Sequence, residues 1–258
     1  MAADGGRRRS AEREFPLPER EKHLLIANLV GSDILLLIIG LVLAICATWA
    51  RSGDLSWTVA GFGAFSELAG SMRAVPEMIV LPLAVAAACE ALDQLLKPRS
   101  ASYRAETKQI RHGINGELPR LGVAALAALM VVVGFVEELV FRYGILGIVL
   151  ALLARVVPQA VAVVVAIVAS AVVFALAHTR YQGKFSIATV FVIGILLGAF
   201  YVETGSILAC AVFHALYDFC GLMFERWHMV HEDDYFDGDV PTGAIEEMAA
   251  QVGKGRRK

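Results

Sequence analysis

Long apolar runs separated by short polar segments dominate the chain after residue 25. A helix needs about 20 predominantly apolar residues to cross the hydrocarbon core of a bilayer. Two further stretches could be partial, tilted or interfacial helices. Residues 55–69 are less apolar than a spanning helix, and residues 145–154 are apolar but short. The pattern therefore predicts an all-α fold, a polytopic membrane bundle of six to eight transmembrane helices. The runs that reach or approach the spanning length are residues 26–50, 78–96, 121–141, 157–177, 187–202 and 206–224.

Composition and charge support this fold class and divide the chain into three parts. Hydrophobic residues make up 57% of the sequence, and the formal net charge is -2. Lysine and arginine gather in the head and in the 97–120 loop, and cations in short loops mark the cytoplasmic side. We expect a basic cytoplasmic segment at 1–23, a membrane domain at 24–226 and a polar, flexible tail at 227–258, in a multi-pass protein of the cell membrane. The cations flank apolar runs rather than interleave with aromatics, so a nucleic-acid surface is excluded.

The four cysteines lie in separate apolar stretches, without CxxC spacing. That arrangement argues against a disulfide framework and against a thiolate metal site. Each is expected to be a small buried hydrophobe. They are Cys46, Cys89, Cys210 and Cys220. A different pattern, the GxxxG spacing of Gly194 and Gly198, predicts close packing between two membrane helices.

Three ionisable side chains interrupt the third apolar run, namely Glu137, Glu138 and Arg142. Each charge near the middle of the bilayer costs roughly 2.5–3.5 kcal/mol on insertion scales, so such residues indicate a functional site. Residues four apart share a helix face, which allows Glu138 and Arg142 to pair. Glu137 points elsewhere and could keep lone pairs free for a water molecule. A purely structural Glu–Arg clamp would explain the pair and would leave Glu137 unexplained.

Polar side chains recur in the later apolar runs. Phe174 and His178 are four apart, as are His214 and Asp218, so each pair occupies one face of a helix. A single histidine in a membrane helix is commonly a hydrogen-bond partner between helices. Two histidines, an aspartate and a spare glutamate are less costly to bury if they converge and satisfy one another. We therefore expect Glu137, His178, His214 and Asp218 to form one site.

These motifs, Glu-Glu-x-x-x-Arg, Phe-x-x-x-His and His-x-x-x-Asp in that order, resemble those of the CPBP intramembrane proteases, the CAAX-processing and bacteriocin-processing (Abi) family. The segment Tyr201-Val-Glu-Thr-Gly-Ser206 is similar too, and the resemblance covers residues 121–224. It implies a glutamic endopeptidase that acts on a membrane-associated peptide or protein and needs no cofactor.

By the same resemblance, Glu137 is the general base on the attacking water, assisted by His178. Glu138, Arg142 and Phe174 support the site, and His214 and Asp218 stabilise the oxyanion. Asparagine is commoner in the family at the position of Asp218. An ionised carboxylate only accepts hydrogen bonds, so Asp218 must either stay neutral or orient His214.

Depth in the membrane constrains this interpretation. Glu137 lies near the end of one apolar run and His178 at the end of the next, so two simple antiparallel helices would place them at opposite faces. Either residues 145–154 make an extra crossing, or Glu137 sits at mid-depth in one long helix across most of 121–155. Both versions predict that 145–154 is helical and embedded in the membrane.

Other functions fit some of the same residues. Zinc could be held by Glu137, His178, His214 and Asp218 in a membrane metalloprotease, although no His-Glu-x-x-His motif is present. A non-proteolytic transporter or scaffold could also use intramembrane carboxylates and histidines. The substrate stays open between CAAX-type processing of a prenylated protein and maturation of a peptide.

Overall fold

The structure is a computed structural model, and it describes residues 17, 19–53, 75–111, 114–179 and 183–232. Every regular element in these ranges is helical, as the apolar pattern predicts. Short helical turns at Ile114–Glu117 and Leu118–Arg120 lead into the fourth helix. The helices are α1 (Glu19–Ser52), α2 (Val75–Leu96), α3 (Ala101–Arg111), α4 (Val123–Leu153), α5 (Gln159–Ala177), α6 (Lys184–Thr204) and α7 (Ile207–His231).

All of these helices except α3 are long and apolar enough to cross a membrane, and they coincide with the six predicted windows. The chain is therefore a multi-pass membrane protein. The first helix begins at Glu19, before the predicted boundary at residue 24, and the last continues to His231, beyond the predicted boundary at 226. The stretch 55–69 lies outside the described residues.

The helix α4 resolves the question of depth. Its 31 residues form one continuous element about 45 Å long at 1.5 Å per residue. It contains a π-helical segment, Leu139–Leu146, between two α-helical parts. Residues 145–153 therefore belong to the same helix as Glu137 rather than to an extra crossing. Glu137 sits near the midpoint of this helix.

The neighbours of α4 pack closely because small residues lie at the crossings. A Cβ added to Gly134 would lie 3.0 Å from the Ala211 carbonyl oxygen in α7. A Cβ at Gly194 would lie 3.1 Å from Ala171 in α5, and one at Gly198 would meet an isoleucine of α5 at 3.1 Å. The packing role predicted for the GxxxG pattern is confirmed.

The cysteines differ in their surroundings. All four are free, and Cys210 is buried in the core. Cys89 and Cys220 are only partly buried, and Cys46 is exposed on α1. The prediction that each cysteine is buried is wrong for Cys46, because an apolar helix in a membrane can present small hydrophobic side chains to lipid as readily as to the core.

A cluster of charged and polar side chains joins the end of α2, the helix α3 and the end of α7. We call it the end network. His228 is buried at its centre, with Nε2 2.8 Å from Glu90 Oε1 and Nδ1 2.7 Å from Glu232 Oε1. Its members are Glu90, Asp93, Gln94, Lys97, Tyr103, Arg111, Glu225, His228 and Glu232.

Candidate active site

The Glu138–Arg142 pair lies at the junction between the first α-helical part of α4 and its π-helical segment. Both side chains are fully buried, and Glu138 Oε1 lies 3.0 Å from Arg142 Nη1, so the predicted pairing is confirmed. Arg142 Nη2 also donates to the Gly194 carbonyl oxygen of α6 at 3.4 Å. Its Cζ lies 4.5 Å from the centroid of the Phe174 ring of α5. Arg142 thus connects α4 to both helices of the α5–α6 hairpin.

Glu138 has a second contact that the sequence did not reveal. Its Oε1 lies 2.8 Å from His214 Nδ1, in the buried space between α4 and α7. An ionised carboxylate only accepts, so Nδ1 carries the proton in this hydrogen bond. Periodicity placed Glu138 on one face with Arg142, but it could not show which helix that face meets.

The other nitrogen of His214 faces two carboxylates. Its Nε2 lies 3.3 Å from Asp218 Oδ2 and 3.7 Å from Glu137 Oε2. A hydrogen bond to Asp218 requires one proton between the two atoms, carried either by a neutral aspartic acid or by an imidazolium. Both roles predicted for Asp218, the neutral acid and the residue that orients His214, are compatible with this contact.

His178 ends the helix α5 and turns its ring toward α4. Its Nδ1 lies 2.8 Å from the Phe174 carbonyl oxygen, which can only accept, so Nδ1 carries the proton. The Nε2 lone pair then faces Glu137 Oε2 at 3.9 Å. This distance is too long for a direct hydrogen bond.

Phe174 packs between the groups of the site. Its ring centroid lies 4.6 Å from that of His178, 5.8 Å from that of His214 and 5.0 Å from that of Phe141. Four residues earlier on α5, the buried Ser170 Oγ donates to the Phe141 carbonyl oxygen at 2.8 Å, within the π-helical segment. Ser170 was missed in the sequence, although its spacing from Phe174 places it on the same face of α5.

Glu137 lies among these groups with spare hydrogen-bonding capacity. Its Oε2 is buried and has no hydrogen-bond partner among the described residues. The side chain of Glu137 is 13% exposed, whereas those of His178 and Asp218 are 25% and 29% exposed. The cluster is therefore most accessible between the end of α5 and α7. The structure brings all four predicted site residues together.

Metal-ligand spacing occurs elsewhere in the described part of the chain. The side-chain ligand atoms of Glu90, Asp93 and His228 lie within 4.8 Å of one another, inside the end network. Lys97 Nζ already lies 2.6 Å from Asp93, and His228 lies 2.8 Å from Glu90. Protein cations and hydrogen-bond donors thus occupy the positions where a metal ion would bind these carboxylates.

Another buried carboxylate escaped the sequence analysis. Asp33 is buried within α1, and its Oδ2 has no hydrogen-bond partner among the described residues. The signal was available, since Asp33 is an acid inside the apolar run 26–50. Among the described residues, Asp33 makes no hydrogen bond or ion pair with Glu137 or either site histidine, so it lies outside the site.

Comparison with known proteins agrees with this site. Residues 119–220 match a family model described as type II CAAX prenyl endopeptidase, Rce1-like. The matched segment includes Glu137, His178, His214 and Asp218, and it confirms the predicted resemblance over residues 121–220 of the range 121–224. No curated protein and no solved structure matches the chain. Together with the membrane helices, the family match supports a protease of the intramembrane kind.

Proposed function

We propose that this protein is an intramembrane glutamic endopeptidase and that Glu137 is its general base. The observation that carries the proposal is the position of Glu137 Oε2. This atom is buried, has no hydrogen bond to any described residue, and lies 3.9 and 3.7 Å from the Nε2 atoms of His178 and His214. A carboxylate in this position keeps lone pairs free beside two imidazole rings. The side chains that meet there come from α4, the end of α5 and α7.

Water activation follows from the fixed tautomer of His178. Because Nδ1 donates to the Phe174 carbonyl, Nε2 presents a lone pair toward Glu137. A water molecule between Nε2 and Glu137 Oε2 can donate one proton to each, and Glu137 takes the proton as the oxygen attacks the scissile carbonyl. General-base activation of this kind contributes about 10²–10⁴-fold to the rate.

Oxyanion stabilisation follows from the tautomer of His214. Glu138 accepts the Nδ1 proton, so Nε2 can donate to a developing oxyanion only as an imidazolium. The carboxylates of Glu138 and Asp218 both favour that charged form. Loss of one oxyanion donor typically costs about 10²–10³-fold in rate. Glu138 therefore belongs to the chemistry of the site as well as to the clamp with Arg142.

The proposed reaction needs no metal ion, and the zinc alternative has a direct test. Cleavage by the purified protein should survive incubation with a strong chelator and should gain nothing from added zinc. Loss of activity that zinc restores would establish the metalloprotease in which Glu137, His178 and His214 are ligands.

The proposed orientation places residues 1–23 and 97–120 on the cytoplasmic side of the cell membrane. Positive charge in these short segments favours that side. With the six spanning helices of the described residues as the crossings, the end of α7 lies on the cytoplasmic side as well. The substrate is a membrane-associated peptide or protein, either of CAAX type or a peptide that requires maturation.

A comparison of variants tests the function and identifies the substrate. Wild type, Glu137→Gln and the control Glu203→Gln are expressed in membranes, and peptides are compared by mass spectrometry. Glu203 is an exposed glutamate at the end of α6, outside the site. Uncleaved substrates should accumulate with Glu137→Gln alone. A wild type that cleaves nothing, and a Glu137→Ala variant that keeps the cellular role, would favour the transporter or scaffold.

A further inference from the structure

The helix α6 receives its N-terminal cap from another helix. Glu106 Oε1, in α3, accepts hydrogen bonds from the backbone N–H groups of Phe185 at 2.8 Å and Ser186 at 2.9 Å. The residue that precedes α6, Gly183, offers no side-chain cap. The first N–H groups of a helix lack partners within it, and a capping oxygen satisfies them. Glu106 supplies that oxygen from 79 residues away.

Two further features fit α3 to the start of α6. A Cβ at Gly183 would overlap the side-chain carboxyl group of Glu106, so the close approach requires glycine there. The ring of Tyr103 meets the ring of Phe185 edge to face, with 5.4 Å between the centroids. The contact therefore combines an aromatic pair, in which Tyr103 is partly buried and Phe185 is exposed, with a double hydrogen bond.

The helix α3 is itself held by the end network. Tyr103 OH donates to Asp93 Oδ1 at 2.8 Å, and burial together with this hydrogen bond raises the pKa of Tyr103. At the other end of α3, Arg111 forms ion pairs of 3.1 Å with Glu225 and 2.9 Å with Glu232. Fixed to α2 and α7, α3 can act as a rigid support for α6.

The position of α6 bears on the active site through α5. A Cβ at Gly194 would lie 3.3 Å from Phe174 Cδ1, and the Gly194 carbonyl oxygen accepts from Arg142. The Phe174 ring in turn contacts the His178 ring, and the Phe174 carbonyl oxygen accepts the hydrogen bond from His178 Nδ1. His178 ends α5 five residues before Gly183, at the same end of the hairpin as the Glu106 cap.

We propose that Glu106 is a positioning residue for His178. By capping α6, it holds the α5–α6 hairpin so that Nε2 of His178 faces Glu137 in α4. The inference rests on the proposed function, because it assigns the consequence of this contact to water activation. Glu106 touches none of the reacting groups, so its removal should lower kcat and leave KM unchanged.

Four variants of the full-length protein test the proposal in detergent or liposomes. Glu106→Ala removes the cap, and Glu106→Gln keeps an oxygen acceptor of the same length. Gly183→Ala adds a methyl group that displaces the Glu106 carboxylate while Glu106 itself is unchanged. The test therefore does not depend on one substitution. Gln109→Ala is the control, since Gln109 is an exposed residue of the same helix.

We expect kcat to fall about ten-fold in Glu106→Ala and Gly183→Ala, because small misplacement of catalytic groups has large effects on rate. Glu106→Gln should keep most of the wild-type kcat, and Gln109→Ala should match wild type. Wild-type kcat in both cap variants, or equal loss in Glu106→Gln and Glu106→Ala, would overturn the proposal.

Hydrogen exchange separates this proposal from the function on which it rests. In Glu106→Ala, the amides of Phe185, Ser186 and His178 should exchange about ten-fold faster than in Gln109→Ala, since a lost cap opens the helix end. If wild type cleaves nothing, the proposed function fails and exchange alone decides the inference. Unchanged exchange at His178 would then refute it.

Discussion

In the described part of the chain, two buried histidines lie between carboxylates, one in the candidate active site and one in the end network. His214 has Glu138 at 2.8 Å on Nδ1 and Asp218 at 3.3 Å on Nε2. His228 has Glu232 at 2.7 Å on Nδ1 and Glu90 at 2.8 Å on Nε2. Judged by the histidine and its two carboxylates alone, the clusters are nearly the same.

The clusters differ in how the remaining charge is matched. In the end network, Lys97 lies 2.6 Å from Asp93, and Arg111 bonds to both Glu225 and Glu232. In the active site, Arg142 pairs with Glu138, and Glu137 Oε2 has no hydrogen bond within the described structure. A buried histidine between acids therefore does not by itself indicate catalysis. The spare carboxylate beside it is the distinguishing feature.

The largest expected effect comes from exchanging this spare carboxylate. Glu137→Gln should lower the rate of peptide cleavage by about 10²–10⁴-fold, because an amide cannot take the proton from water. The matched change in the other cluster, Glu90→Gln, should leave the rate close to that of wild type. Single-turnover cleavage of an identified substrate measures both. Equal losses in the two variants would remove the distinction between the clusters.

Glu138→Gln tests whether Glu138, besides pairing with Arg142, also contributes to catalysis. The variant leaves Arg142 buried without its charge partner, which typically costs about 3–5 kcal/mol of stability. It also weakens the imidazolium form of His214, so kcat should fall about 10²-fold in the protein that remains folded. Thermal unfolding and kcat are measured together. A destabilised variant with wild-type kcat would restrict Glu138 to a structural role.

His228→Gln should show the opposite combination. It removes a buried hydrogen-bond partner of Glu90 and Glu232, which costs about 1–3 kcal/mol when the partners stay unsatisfied. The melting temperature should fall while kcat stays near the wild-type value, because the bonds that hold α3, from Tyr103 to Asp93 and from Arg111 to Glu225, do not involve His228. A large loss of kcat at unchanged stability would contradict this separation.

The smallest effect concerns acid stability in the end network. Burial raises the pKa of Glu232, but the hydrogen bond and charge of Arg111, with the charges of Lys97 and His228, outweigh burial and lower it overall. A lowered pKa in the folded state means that the ionised form stabilises the fold above the ordinary pKa of glutamate. This contribution is lost as pH falls through the folded-state pKa.

Melting temperatures of wild type and Glu232→Gln across pH 3 to 7 measure that contribution. The two curves should be separated near neutral pH and should converge in acid. Parallel curves over the whole range would show that Glu232 contributes no charge-dependent stability.

Much of the fold and of the site was predictable because both depend on local periodicity. Apolar runs of spanning length predicted the membrane helices, and the four-residue spacing predicted the Glu138–Arg142 pair. Convergence of Glu137, His178, His214 and Asp218 followed from the cost of burying each group alone. These inferences need only the geometry of one helix and the family resemblance of the motifs.

The features that escaped prediction depend on contacts between distant segments. The bond from Glu138 to His214 joins residues 76 positions apart, and the cap from Glu106 joins α3 to α6. The π-helical segment has no simple sequence period, and Ser170 bonds to a carbonyl that only this segment presents. Exposure of Cys46 depends on which face of α1 meets lipid.

The π-helical segment makes the length of α4 as important as its composition. In a π-helical segment each N–H bonds to the carbonyl five residues earlier, so deleting one residue within Leu139–Leu146 would let this part of α4 return to α-helical bonding. The Phe141 carbonyl would then be taken up within the helix and would no longer be presented to Ser170. In a comparison with relatives, a single gap in this segment should therefore be rarer than several substitutions.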